Sequence, residues 1–190
     1  MHQVLHPQLA KLTDQLDDVS DLAQKLVQGL FPDQLRLHPE PDRWSIAQCL
    51  THLNLCSEAF VNLIGSACQD AREKQIVGAG PFKMDKMARF LNWTLRPPAR
   101  IKVRTTARFE PVTVSVPEEV LPRFLVLQGE LKKGIENAAG LDLDKVIVTS
   151  LFSRRVKYNL FSCFVLIVTH ELRHLWQAEQ VRRAILREGS

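Results

Sequence analysis

The chain has 190 residues, of which 45% are apolar and 24% charged, and these values predict one ordinary globular domain spanning residues 1–190. The net charge of +4 is too small to establish a nucleic-acid partner. The N-terminus lacks the apolar stretch of a secretory signal. The longest apolar run, at 160–168, is also too short to span a bilayer, so we expect a cytoplasmic protein without membrane contact.

The first third of the sequence predicts two long helices separated by a proline-rich loop. Apolar residues at steps of three and four from Leu5 to Leu26 indicate an amphipathic helix over about 4–28. A second helix is predicted to begin after Ser45, which forms a capping-box pattern with Gln48. This helix is poor in charge as far as Gln69, which is typical of a helix buried on most sides. Its cysteines, like the fourth cysteine further on, are predicted to be free buried thiols: Cys49, Cys56, Cys68 and Cys163.

The rest of the chain predicts a long crossover, two more long helices and a connector. Residues 78–116 suggest irregular or weakly extended structure with a short helix over about 84–93. A third long helix follows Pro117 and ends at Gly140, and a last helix covers about 160–187. The segment 141–159 between them is predicted to be a connector. We therefore predict an all-α fold, a four-helix bundle with one long crossover between its second and third helices.

Three histidines are predicted to lie in the core. His52 is in the middle of the charge-poor helix, while His170 and His174 share one face of the last helix with apolar residues. An i, i+4 pair with a third imidazole from a facing helix would give three nitrogen ligands and leave positions open for water or substrate. The alternative is that these are core histidines whose hydrogen bonds are satisfied within the protein.

The motif "HELRH" at 170–174 also has the H-E-x-x-H spacing of zinc peptidases, but the rest of the sequence argues against that class. Only residues 175–190 follow the motif, and their acids are Glu179 and Glu188. The longer metzincin pattern would need Gly and His where the chain has Gln177 and Gln180. Arg173 inside the motif is a further departure from those enzymes.

The segment "RWSIAQCLTHL", followed far downstream by "HELRHLWQAEQ", resembles the DinB-like superfamily of metal-binding four-helix bundles. The resemblance rests on Trp44, Ser45 and His52 in the first segment and on His170, His174 and Gln177 in the second. It implies a divalent metal, with zinc or nickel as first choices, held by His52, His170 and His174. It further implies a homodimer that acts on a small molecule as a hydrolase or a thiol-dependent transferase, the latter with a low-molecular-weight thiol.

Two neighbours of the histidines are candidates for supporting roles. Glu171 lies about 100° around the helix from His170, which favours an indirect role or an interhelical ion pair over that of a catalytic base. Gln177, one turn after His174, is a candidate for a hydrogen bond that orients a ligand, although a simply packed amide fits the sequence equally well.

Two other functions remain open from the sequence. The crossover at 83–108 is rich in Lys and Arg, with Phe and Trp interleaved, so a non-catalytic module that binds an acidic partner or a nucleic acid is an alternative. We expect nucleic acid to be the weaker choice of partner, since a solvated basic face explains the same pattern. A fold that has kept the metal but lost catalysis is the third hypothesis.

Overall fold

The structure, a computed structural model, describes residues 5–40, 42–98, 105–112 and 117–188. In chain order these form α1 (Pro7–Val27), α2 (Pro32–Arg36), α3 (Ile46–Glu73), α4 (Lys86–Leu95), a 3-10 turn (Ala107–Phe109), α5 (Pro117–Asn137), β1 (Ile147–Thr149), β2 (Lys157–Asn159) and α6 (Leu160–Glu188). The prediction of a mostly helical fold is confirmed. The count of four helices is not, because the described residues contain six helices and a small antiparallel sheet.

The four long helices pack in a ring, with α3 against α5 and α6, and α1 against the same two helices. The buried stripe of α1 follows the predicted periodicity through Leu9, Leu12, Leu16 and Val19. Two groups of buried apolar side chains fill the interior, one around Phe164 and the other around Phe124. None of the described helices is long and apolar enough to cross a membrane.

The start of α3 is fixed by the predicted capping box. Ser45 Oγ accepts a hydrogen bond from the Gln48 backbone N–H at 3.2 Å, and Gln48 Oε1 accepts one from the Ser45 N–H at 2.9 Å. In both bonds a side-chain oxygen accepts from a backbone N–H group that has no partner within the helix. Because the first turn is held in this way, His52 is placed on the second turn of α3, facing α6.

The crossover between α3 and α5 contains more regular structure than predicted. Its helix begins two residues later than the predicted start at Met84, because Asp85 caps it by accepting a hydrogen bond from the Ala88 N–H at 2.8 Å. α4 packs against α6 through buried Ala88 and Asn92. Within the segment 78–116, which was predicted to be irregular or weakly extended, residues 99–104 and 113–116 lie outside the described residues.

One short helix and two short strands were absent from the sequence prediction. The proline-rich loop includes the one-and-a-half-turn helix α2, which begins at Pro32. The predicted connector contains β1 and β2, paired so that Val148 faces Tyr158, and both of these side chains are buried. Each strand has three residues, which is too short for an alternating pattern to be recognised in sequence.

Candidate metal centre

The three predicted core histidines lie together between α3 and α6. The ring centroids are 4.4 Å apart for His52 and His174, 4.7 Å for His170 and His174, and 5.3 Å for His52 and His170. His52 and His170 are buried, while His174 is partly exposed. The structure therefore brings the three predicted rings together, although the group with metal-ligand spacing in the described part of the chain includes His52 and His170 and leaves out His174.

The crossover sets the protonation of His52. The Nδ1 atom of His52 is 2.7 Å from the backbone oxygen of Phe109, in the 3-10 turn. A carbonyl oxygen can only accept, so Nδ1 carries the hydrogen and a neutral His52 ring presents Nε2 as an acceptor. This Nε2 lies 3.4 Å from Nε2 of His170. A histidine that donates one ring N–H to a carbonyl while offering the other nitrogen is typical of a metal ligand.

Burial keeps the three imidazoles in the form that binds metal. It lowers the pKa of His170 to about 3, with the neighbouring His52 and Arg173 acting in the same direction. The pKa values of His52 and His174 are also lowered, in each case chiefly by burial. The rings are therefore neutral near pH 7, and a metal ion would not have to displace protons from them.

Trp44 covers the histidine cluster on its partly exposed side. Its ring stacks on His174 with centroids 5.9 Å apart and an interplanar angle of 23°, and its centroid is 5.0 Å from that of His52. Trp44 and Gln177 are both partly exposed, like His174. The partly exposed side of the cluster is thus at His174, which contacts both Trp44 and Gln177.

Cys56 is a neighbour that the sequence analysis assigned only to the core. Its Sγ lies 3.6 Å from Nε2 of His52, one helical turn earlier on α3. The described residues hold one group of three or more side chains with metal-ligand spacing, namely His52, Cys56 and His170, whose ligand atoms lie within 4.8 Å of one another. The signal available in the sequence was the i, i+4 spacing of His52 and Cys56. The prediction that all four cysteines are free and buried is confirmed.

Glu171 points away from the three imidazoles, into the contact between α3, α5 and α6. Its Oε1 accepts hydrogen bonds from Gln128 Nε2 at 2.8 Å and from Ser57 Oγ at 3.2 Å. Its Oε2 is buried and has no hydrogen-bond partner in the described part of the chain. Burial raises the pKa of Glu171 to about 7, although both hydrogen bonds act to lower it. The partners of this carboxyl group are thus an amide and a hydroxyl group. An interhelical ion pair had been one expectation.

Gln177 and Arg173 are the remaining polar neighbours on α6. A side-chain hydrogen bond between His174 and Gln177 acts to raise the pKa of His174, so the two side chains interact as their spacing suggested. The Nδ1 atom of His174 is buried and lacks a hydrogen-bond partner among the described residues. Arg173 donates from Nη1 to the backbone oxygen of Thr94 at 3.1 Å, which ties α6 to the end of α4.

Comparison with known proteins agrees with these features. A family model described as the DinB superfamily matches residues 15–178, a range that contains all three histidines, Cys56, Glu171 and Gln177. Comparison with the curated proteins and with the solved structures gives no match. The family match covers well over half of the sequence, and the metal-ligand spacing of the buried group is consistent with a metal-dependent protein of this kind. The chain belongs to the DinB superfamily.

Proposed function

We propose that this chain is an enzyme that uses a divalent metal held by His52, His170 and His174 to activate a water molecule or a thiol. The observation that carries the proposal is the packing of three neutral imidazoles, from two helices, with their ring centroids 4.4–5.3 Å apart. A buried polar group without a partner costs roughly 1–3 kcal/mol. Among the three rings, Nδ1 of His174 is a buried atom without a partner in the described part of the chain, and the neighbour of Nε2 of His170 at 3.4 Å is another imidazole nitrogen. A bound ligand explains this grouping better than packing does.

The residues present fit such a metal. The backbone oxygen of Phe109 fixes the tautomer of His52, so that its Nε2 faces the cluster. Nδ1 of His174 is buried without a partner within the described residues, which is a state that coordination of a metal would relieve. Imidazole donors suit zinc, nickel, iron or copper better than calcium or magnesium, and zinc and nickel remain our first choices.

The chain's own residues would divide the work around the metal. A bound divalent ion supplies a lowered pKa to a coordinated water or thiol, giving a nucleophile near neutral pH. Trp44 and Gln177 border the partly exposed side and would contact an incoming small molecule. Gln177 would also orient His174 through their hydrogen bond. Glu171 would act indirectly, because its Oε1 bonds to Ser57 and Gln128.

The first test is metal content with matched variants. The purified, untagged chain should hold about one divalent metal per chain by elemental analysis. His52→Ala and His170→Ala should hold little or none, while His38→Ala, which alters an exposed histidine, should match the parent. A parent that stays metal-free after supplementation with zinc and nickel would rule out this function. A loaded parent should then be assayed for hydrolysis and for transfer to low-molecular-weight thiols.

A second candidate function is favoured by the exposed face of α4. Phe90 and Trp93 are 59% and 52% exposed, and their rings stack with centroids 6.3 Å apart. Lys86 and Arg89 are exposed on the same helix, and Arg96 follows it. Exposed aromatic rings beside cations fit an acidic partner, with single-stranded nucleic acid as one form.

The second candidate is tested by binding to an acidic polymer. Poly(dT) should quench tryptophan fluorescence at low salt, with affinity falling steeply as salt is added. Trp93→Ala combined with Arg89→Ala should weaken binding, whereas a matched change on α1, Lys11→Ala, should not. No binding at low salt would eliminate the nucleic-acid form. The homodimer implied by the family stays a prediction, to be tested by analytical ultracentrifugation.

A further inference from the structure

Cys56 differs from the other cysteines in what lies beside its sulfur. All four thiols are buried and belong to the two apolar clusters, so burial does not distinguish them. Cys56 is 1% exposed, and its Sγ lies 3.6 Å and 4.0 Å from the two ring nitrogens of His52. It is the thiol that belongs to a group with metal-ligand spacing, where it joins His52 and His170.

We propose that Cys56 Sγ coordinates the same metal as the histidines, so that the ligand set contains a thiolate as well as imidazoles. This inference rests on the proposed function, since it requires a metal at the histidine cluster. It changes the chemical character of that site from an all-nitrogen set to a mixed nitrogen and sulfur set.

The distances between the ligand atoms carry the argument. Zinc binds nitrogen at 2.0–2.1 Å and sulfur at about 2.3 Å, so two ligands of one tetrahedral ion are separated by about 3.3 Å for a nitrogen pair and about 3.6 Å for nitrogen and sulfur. The separation of Nε2 of His52 and Nε2 of His170 is 3.4 Å. The separation of Nε2 of His52 and Sγ of Cys56 is 3.6 Å. Two edges of a tetrahedron are thus already formed at His52.

Without a metal, the same contact is a hydrogen bond in which the Cys56 thiol donates to Nε2 of His52. Burial, with a contribution from nearby Glu171, raises the pKa of this thiol, so it stays protonated on its own. A divalent ion deprotonates a coordinating thiol outright. In that step the S–H bond breaks, a metal–sulfur bond forms and the proton leaves to solvent, with no change in oxidation state.

The thiolate has two consequences for the site. It favours metals that accept soft ligands, such as zinc, cobalt, nickel or copper, over magnesium, calcium and manganese. With three imidazoles and one thiolate, a tetrahedral ion has all four positions filled. Water or a substrate thiol would then have to replace Cys56 or raise the coordination number to five.

Cobalt(II) in the full chain tests the proposal spectroscopically. A cobalt–thiolate bond gives a charge-transfer band in the near ultraviolet that imidazole ligands do not give. We expect this band in the cobalt-loaded parent at one cobalt per chain, and in Cys163→Ala, which removes another buried thiol. Cys56→Ala should lose the band completely while still binding cobalt through its histidines.

The outcomes separate this proposal from the proposed function. Stoichiometric cobalt in the parent with no charge-transfer band overturns coordination by Cys56 and leaves the histidine site standing. No bound cobalt, zinc or nickel overturns both. A second measurement covers the case in which Cys56→Ala does not fold. The parent protein is treated with iodoacetamide in a concentration of urea that partly unfolds it, with and without metal. Alkylation of Cys56 is then measured by mass spectrometry. Protection by metal at Cys56, with none at Cys163, supports the proposal, and equal alkylation contradicts it.

Discussion

Acidifying the metal-free protein should destabilise it through the histidine cluster. Burial lowers the pKa of His170 to about 3 and lowers those of His52 and His174 below their ordinary 6.5. The folded state therefore keeps these rings neutral at a pH where the unfolded chain takes up a proton on each. Their contribution to stability is complete above pH 6.5 and is lost as the pH falls below that value.

The magnitude follows from the number of protons taken up on unfolding. Each ring that stays neutral makes the free energy of unfolding fall by about 1.4 kcal/mol per pH unit. Glu171 acts in the opposite direction, because its pKa is raised from 4.5 to about 7 and the folded state holds its proton between those values. With His170 and His174 neutral and one protonated carboxyl group, we expect a net slope of at least about 1.4 kcal/mol per pH unit between about pH 6 and pH 5, to which His52 adds in the same direction.

Urea unfolding after metal removal by chelation measures this slope at half-unit steps from pH 7.5 to pH 5. Two variants give controls of opposite sign. His170→Leu should make the slope shallower by about 1.4 kcal/mol per pH unit, and Glu171→Gln should make it steeper by a similar amount. A stability that is flat, or that rises, between pH 6 and pH 5 would refute the conclusion that the cluster is held neutral by burial.

Three further predictions concern stability alone, each measured by urea unfolding. Ser45→Ala removes the cap of α3 and should cost about 1 kcal/mol, and no loss would show that the capping box is not stabilising. Phe124→Ala, at 0% exposure, should cost about 3–5 kcal/mol, whereas Phe31→Ala, at 73%, should change stability by less than about 0.5 kcal/mol. Gly65→Ala meets no atom within 4 Å and should gain about 0.5–1 kcal/mol, while Gly134→Ala meets Ile64 Cγ2 at 3.1 Å and should gain less or lose.

The helices and the histidines were predictable because their signals are local. The stripe from Leu9 to Val19 has the period of a helix, and Ser45 with Gln48 marks a helix start within four residues. The spacing of His170 and His174 places both on one face wherever the helix lies. For His52 alone it was necessary to assume which helices pack together. The low charge of the helix around it indicated that the helix is buried, which is consistent with its packing against α6.

The sequence could not predict two kinds of contact: those made by backbone groups, and those made by residues that look like ordinary core residues. The tautomer of His52 depends on the carbonyl of Phe109, 57 positions away, and a carbonyl group has no residue-type signature. Cys56 is buried like Cys49, and its i, i+4 spacing from His52 is little different from the three-residue spacing of Cys49, so the structure was needed to show which sulfur contacts Nε2 of His52. Glu171 was expected to be indirect, but its partners Ser57 and Gln128 lie on two other helices and could not be named.

These contacts change the role of the crossover in the site. If the crossover only covered the site and attracted anions, substitutions in it would have no effect on the histidines. Here the 3-10 turn at 107–109 supplies the carbonyl that makes Nε2 of His52 the acceptor nitrogen of its ring. The backbone oxygen of Thr94, in α4, accepts a hydrogen bond from Arg173, the residue before His174. Because the crossover contacts His52 directly and contacts α6 at Arg173, its conformation and the affinity for a metal bound by the histidines would be thermodynamically linked. The two functions that the sequence left as alternatives, metal chemistry in the core and binding on the crossover, would therefore influence one another if both are present.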